Sequence, residues 1–255
     1  MKELWNSITD QAKSICTTEP ILENLITNFV LKFDDLPSAL TAILVSKLAF
    51  TEIATTKLEE QLYIKLSNIL ISDQIHADLL FFNSKDPACN NILTPLLFFK
   101  GFQGLALHRV AHACWHDGAK NFASLLQSRG SEIFGMDIHP AAVIAGGVMI
   151  DHGTGIVIGE TATIGPNVSL FQGVTLGGRG DETGKRHPDI LEGATIYASS
   201  TVLGNIEIGK NSIVAAGSLV LKSVLQNETV AGIPARRVRG LSQNDIGWDP
   251  GNSSL

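Results

Sequence analysis

The chain has little cysteine, few aromatic residues and little charge. Its three cysteines, Cys16, Cys89 and Cys114, lie far apart and form no CxxC pair. That excludes a disulfide framework and a thiolate metal site, and it fits a reducing cytosol. Long apolar runs are missing too. Stretches such as Leu96–Phe99 fall far short of a membrane span. The N-terminus, MKELWNSITDQAKS, carries acidic residues and no apolar core, so no signal peptide is expected and the protein reads as soluble and cytoplasmic. Charged residues make up 17%, with 25 acidic against 19 basic and a net charge of −6. This balance argues against a nucleic-acid binder. Hydrophobic residues reach 44%, too many for disorder. Glycine is scarce in one half only: residues 1–137 hold five of the 24, and residues 138–240 hold 17. Two architectures are therefore expected to meet near residue 137.

Residues 1–131 show apolar spacing of helical period. The spacing predicts helices over 20–28, 35–50, 56–71 and 95–129, with Ser38 and Thr51 as caps and a break over 83–88. The last helix carries His108, His112 and His116 at i, i+4 and i+8. Such spacing can share a metal ion. No carboxylate or cysteine completes a ligand set, so packed structural histidines are the favoured reading and no metal is expected.

From Ile138 an aliphatic residue recurs every six positions, through Ile144, Ile150 and Ile156. The phase slips by two and resumes at Ile158, Ile164, Leu170 and Leu176. After a gap of 14 it returns at Ile190, Ile196, Val202, Ile208, Val214 and Val220. The fourth residue after each aliphatic is usually small or branched, as at Ala142, Val168, Ala194 and Ser212. This pattern is that of a parallel β-helix of triangular coils, six residues to a side. Aliphatic residues should stack about 18 apart, Ile190 on Ile208 and Ile196 on Val214. Glycines after the aliphatic, such as Gly159, Gly165 and Gly209, are expected to serve corners of unusual φ. Residues 138–235 give roughly five coils, a prism about 25 Å long. The long gap implies about eight residues extruded as a loop around 178–189.

Several motifs lie on this repeat in order. They are Met136-Asp137-Ile138-His139-Pro140, Asp151-His152-Gly153-Thr154-Gly155, Ile158-Gly159-Glu160-Thr161, Gln172-Gly173-Val174-Thr175-Leu176-Gly177-Gly178, Gly184-Lys185-Arg186-His187-Pro188 and Ala231-Gly232-Ile233-Pro234-Ala235. Together with Asp86-Pro87-Ala88 and the helical half, the set resembles the serine O-acetyltransferase family of hexapeptide-repeat acyltransferases. The resemblance implies an α+β fold: a helical domain over 1–137, a left-handed β-helix over 138–235 and a tail over 236–255. It further implies a homotrimer or dimer of trimers, with sites between subunits. The implied reaction is acetyl transfer from acetyl-CoA to L-serine, with L-cysteine as a feedback inhibitor.

A serine hydroxyl needs a base within hydrogen-bond reach to attack a thioester. The resemblance assigns that base to His152, oriented by Asp137; His139, two residues after Asp137, is a rival base. It assigns Asp86, Pro87, Asp151, Glu160, Arg186 and His187 to serine, and Gly178, Ala198 and Ala216 to acetyl-CoA. Arginine's planar fork suits a carboxylate, and acidic groups suit an ammonium. Residues 205–240 carry Lys210, Lys222, Arg236, Arg237 and Arg239 against Glu207 and Glu228, a basic stretch that could face CoA phosphates or simply be solvated.

The chain departs from the family at three places. Tyr197-Ala198-Ser199 replaces Gly-Ala-Gly at a corner, and Ala145-Gly146 replaces a glycine followed by a basic residue. Members that dock O-acetylserine sulfhydrylase end in isoleucine; Leu255 stands here, which counts against that partner. The alternatives are an acetyltransferase for homoserine, a γ-type zinc carbonic anhydrase and a non-catalytic scaffold. The carbonic anhydrase needs three histidines, and the coils offer only His139, His152 and His187.

Overall fold

The computed structural model describes residues 2–48, 53–87, 89–180 and 183–238. The expectations for a cap at Thr51, for Ala88 and Arg239, and for the C-terminal Leu255 fall outside these residues. Helices come first: α1 (Lys2–Thr18), α2 (Glu23–Ile26), α3 (Leu36–Leu48), α4 (Thr55–Leu66), α5 (Ile69–Lys85), α6 (Leu93–Phe98), α7 (Lys100–His116) and α8 (Lys120–Phe134). A 3-10 turn (Pro20–Leu22) and a π turn (Thr27–Leu31) flank α2. Among the described residues, no helix is long and apolar enough to cross a membrane.

The helix boundaries correct the sequence reading in places where a side chain caps the backbone. Asp35, not Ser38, caps α3, its Oδ1 accepting from Ser38 N at 2.8 Å. A new helix starts at Ile69 because Asn68 accepts from Leu70 N at 3.0 Å. The helix expected over 95–129 is three helices. Phe99 is extended between α6 and α7, and the buried Gln103 amide donates to the last α6 carbonyls, Leu96 O at 2.9 Å and Leu97 O at 3.0 Å. Gly118, at φ +87°, separates α7 from α8.

The remainder is a three-sided coil whose sides form three sheets. The first sheet holds β1 (Met136–Ile138), β4 (Ile156–Ile158), β7 (Thr175–Gly177), β10 (Thr201–Leu203) and β13 (Leu219–Val220). The second holds β2 (Val143–Ile144), β5 (Thr163–Ile164), β8 (Asp189–Ile190) and β11 (Glu207–Ile208). The third holds β3 (Met149–Ile150), β6 (Ser169–Leu170), β9 (Thr195–Ile196), β12 (Ile213–Val214) and β14 (Thr229–Gly232), closed by an antiparallel β15 (Ala235–Arg237). Every other pairing is parallel, with Ile208 on Ile190 and Val214 on Ile196 as the spacing required.

The interior follows the two-residue rule of the repeat. Ile144, Leu170, Ile190, Ile208 and Val214 are buried beside Ala142, Val168, Ala194, Ser212 and Ser218. The two-residue slip falls at one corner of the coil. Ile156 is the buried inner partner of Ile158, and Thr154 is exposed. The extra residues therefore swell the corner Asp151–Gly155 between β3 and β4. The glycines that follow the aliphatic also have a different reason from the one expected. They do not have positive φ. A Cβ on Gly159 would come within 2.0 Å of the His187 ring.

The two halves dock through α5 and α7. A Cβ on Gly101 would lie 1.8 Å from Ile150 O, so only glycine lets α7 rest on β3. Beside it, buried Arg109 forks onto buried Asp78, Nε to Oδ2 at 2.8 Å and Nη2 to Oδ1 at 2.9 Å. Its remaining donors reach Ile144 O at 3.0 Å and Ala145 O at 2.8 Å. Asp78 also accepts from Val148 N at 2.9 Å. One ion pair thus spans two helices and the first coil. Asp78→Ala leaves a buried guanidinium without its counter-ion, which costs about 3–5 kcal/mol. Urea unfolding of Asp78→Ala should show that loss, and a doubly apolar replacement of Asp78 and Arg109 should show less.

Candidate active site

The assigned residues fall into two groups on opposite edges of the first sheet. The first group gathers at the swollen corner. Asp86 ends α5, its N donating to Phe82 O at 3.0 Å, and exposed Pro87 follows. Asp151 opens the corner, and burial pushes its carboxyl pKa up, with Asp86 adding to the rise and His152 opposing it. His152 Nε2 lies 3.6 Å from Asp151 Oδ2, and the imidazole is 69% exposed.

His152 has φ +58°, in the left-handed region. A non-glycine residue there is held against a strain of order 1–3 kcal/mol. The corner is over-determined enough to hold it. Gly153 N donates to Asp151 O at 2.7 Å, Thr154 N to His152 O at 2.9 Å, and Gly155 N to Gly135 O at 2.8 Å. Lys100, at the start of α7, donates to Thr154 Oγ1. The helical half therefore braces the corner from above, and the imidazole projects outward.

The second group lies where the first sheet turns into the second. Arg186 Nη2 pairs with Glu160 Oε2 at 2.5 Å, and this hydrogen bond draws the Glu160 pKa down. His187 is buried, and burial with the Arg186 charge lowers its pKa. His139 is half-buried, its pKa lowered by desolvation, with Glu160 and Asp137 opposing. Gly178 belongs here: a Cβ on it would lie 3.3 Å from His187 Nε2.

Asp137 points outward from β1, opposite Val157. Its Oδ1 accepts from Gln127 Nε2 of α8 at 2.7 Å. Within one chain, and among the described residues, Asp137 and His152 share no hydrogen bond or ion pair. Nothing in the sequence spacing pointed to Gln127, because its partner lies across the helix–coil boundary.

Below His152 the same corner recurs coil by coil. Gly173 N donates to Thr154 O at 2.8 Å, Ser199 N to Gln172 O at 2.8 Å, and Gly217 N to Ala198 O at 2.9 Å. Ala198 and Ala216 belong to this column. Ser199 keeps a left-handed φ of +59°, so the corner retains its turn without glycine. Tyr197 stacks on Phe171 with ring centroids 5.0 Å apart. The basic stretch is partly neutralised: Lys210 pairs with Glu192 and Arg237 with Glu228, each at 3.1 Å.

Two of the other histidines serve packing. His112 Nδ1 lies 2.8 Å from Pro140 O, and its ring meets His116 edge-on at 4.4 Å. Among the described residues no group of three histidine, cysteine or acidic side chains is disposed to hold a metal ion.

Known proteins resemble this chain in sequence and in fold. The family model "Serine acetyltransferase, N-terminal" matches residues 4–106. Serine acetyltransferase 2 of Arabidopsis thaliana is 46% identical over 95% of this chain and 75% of its own length. The Neisseria gonorrhoeae serine acetyltransferase solved with serine superposes with a TM-score of 0.89 at 43% identity, covering 92% of this chain and 96% of that one. The Brucella abortus serine acetyltransferase solved with coenzyme A gives 0.90 at 40% identity, covering 93% and 96%. A serine acetyltransferase solved with cysteine gives 0.90 at 42% identity, covering 92% and 98%.

The strain at His152 has a measurable consequence. His152→Gly and His152→Ala both delete the imidazole, but only glycine is at ease at this φ. His152→Gly should be the more stable of the two by about 1 kcal/mol in urea unfolding.

Proposed function

The chain belongs to the serine acetyltransferase family, and from that premise we propose how its own residues carry out the reaction. It transfers the acetyl group of acetyl-CoA to the hydroxyl of L-serine, giving CoA and O-acetyl-L-serine, the precursor of cysteine. The observation that carries the assignment is a second carboxylate, Asp86, near enough to half-buried Asp151 to raise its pKa, immediately before His152. Two close carboxylates suit an ammonium group. Serine's hydroxyl is one carbon removed from the carbon that bears its ammonium. A base adjoining the ammonium site is therefore placed to reach that hydroxyl.

His152 takes the hydroxyl proton as the oxygen attacks the thioester carbonyl, and returns it to the departing CoA thiolate. Asp137 holds the imidazole in the productive tautomer and stabilises its protonated form. Gln127 steadies one Asp137 oxygen and leaves the other free for that task. Asp86, Pro87 and Asp151 bind the ammonium side of serine, and Arg186 with His187 binds the carboxylate, Glu160 fixing the Arg186 fork. Acetyl-CoA runs along Ala198 and Ala216, with Gly178 contributed from the opposite edge. L-Cysteine carries the same ammonium and carboxylate and competes for the serine pocket, in keeping with the cysteine-bound relative. The three widely spaced free cysteines support a cytosolic setting.

The two groups are separated by a strand of three residues, about 10 Å at 3.3 Å per residue. That favours a site completed by a second copy in a homotrimer. One copy supplies Asp86, Asp151 and His152, and the next supplies Asp137, Glu160, Arg186 and His187.

Thiol release from acetyl-CoA should be strong with L-serine and weak with homoserine; no release with serine would overturn the reading. His152→Ala should lower kcat by about 10²–10⁴-fold. Shared sites make a further outcome testable. His152→Ala and Arg186→Ala should each be nearly inactive alone, and co-expressed mixed oligomers should regain part of the activity. Failure to complement would place each site within one chain.

A further inference from the structure

We propose that Thr161 is a positioning residue for this reaction: it locks His187 in the neutral tautomer with its proton on Nε2, so that His187 faces the substrate as a hydrogen-bond donor and not as a second base. This rests on the reading of His187 as part of the serine site. The hydrogen bonds around Thr161 carry the inference. Its Oγ1 accepts from Arg186 N at 3.0 Å and from His187 N at 3.1 Å. Both lone pairs are then used, and the hydroxyl proton is directed at the remaining neighbour, His187 Nδ1, at 2.9 Å. Thr161 N–H donates to the same Nδ1 at 3.2 Å. A nitrogen that accepts two hydrogen bonds carries no proton, so the proton sits on Nε2.

The lock also resists protonation. A proton on Nδ1 would confront the Thr161 N–H. The charged and titratable groups facing His187 are Arg186 and Lys185 from the extruded loop, Glu160 from the coil corner, and His139. Burial and the Arg186 charge favour the neutral ring, and Glu160 opposes them. Lys185 Nζ donates to Thr161 O at 2.6 Å, so three successive loop residues dock on this one threonine. On the other side, the ring rests over Gly159 and Gly178, where a Cβ would approach Nε2 to 2.0 and 3.3 Å. The resulting Nε2–H, beside the Arg186 fork, is matched to a carboxylate oxygen of serine.

The test is steady-state kinetics in serine at saturating acetyl-CoA across pH 5.5–9, for wild type, Thr161→Val, Thr161→Ser and His187→Ala. Thr161→Val should lower kcat/KM for serine about ten- to hundredfold, mainly through KM. Its acid limb should move to higher pH: Nδ1 then keeps only the backbone N–H of residue 161 and takes a proton more readily, and the two facing N–H groups push the ring out of position, so the placed donor is lost sooner as pH falls. Thr161→Ser, which keeps the hydroxyl, should restore both to within about threefold. A wild-type profile for Thr161→Val, or a serine variant as impaired as the valine one, would overturn the inference. Full activity in His187→Ala would instead overturn the site reading, and the inference with it.

Discussion

The buried pair of Asp78 and Arg109 is the joint on which the rest of the molecule is hung. A guanidinium and a carboxylate out of water need nearly all their hydrogen bonds met, or the desolvation of each outweighs their attraction. Here the fork is filled by Asp78, Ile144 O and Ala145 O, and the carboxylate gains Val148 N. These partners come from α5, α7 and the first coil. The pair is satisfied only when all three are in register, so it specifies a docking as well as a contact. Asp86 comes near enough to Asp151 to raise its pKa because it ends the same helix that carries Asp78 eight residues earlier.

The coil supplies a frame, and the residues proposed for the chemistry sit where the frame is broken. A regular six-residue side buries two residues and turns. Two added residues at Asp151–Gly155 push an imidazole outward in a strained backbone conformation. Eight added residues between β7 and β8 return Lys185, Arg186 and His187 to the coil. Neither insertion disturbs the sheets, because strands on both sides keep their parallel partners. Loop insertions in a solenoid are tolerated for this reason: each coil is stabilised by its neighbours above and below.

Much of this was legible in the sequence because the repeat is short and its inward residues are of two kinds only. Ile190 on Ile208 follows from counting. The helical half was less legible. Its breaks are made by single polar side chains, Asn68 at one helix start and Gln103 at one helix end, and an apolar stripe runs across them unchanged. Period alone could not show that glycine after an aliphatic makes room for the next coil, since the crowding atoms lie a full coil away, Val224 to Gln226 at Gly209 and Ile190 to Glu192 at Gly165, or on the extruded loop, His187 at Gly159. The split of the candidate site residues could be expected only from the family resemblance, which implied sites between subunits. Linear order places His152 close to Glu160, and only the folded coil sends them to opposite edges of the first sheet.

The recurring corner below His152 works as a ruler. Successive corners, at His152, Gln172, Ala198 and Ala216, are held by backbone hydrogen bonds one strand spacing apart. Three steps of about 4.8 Å span about 14 Å. An elongated molecule lying along this column meets graduations fixed by the polypeptide backbone, independent of side-chain choice. Adding or deleting a coil would change the length it measures in whole increments, so reach along this edge evolves by counting and not by gradual adjustment.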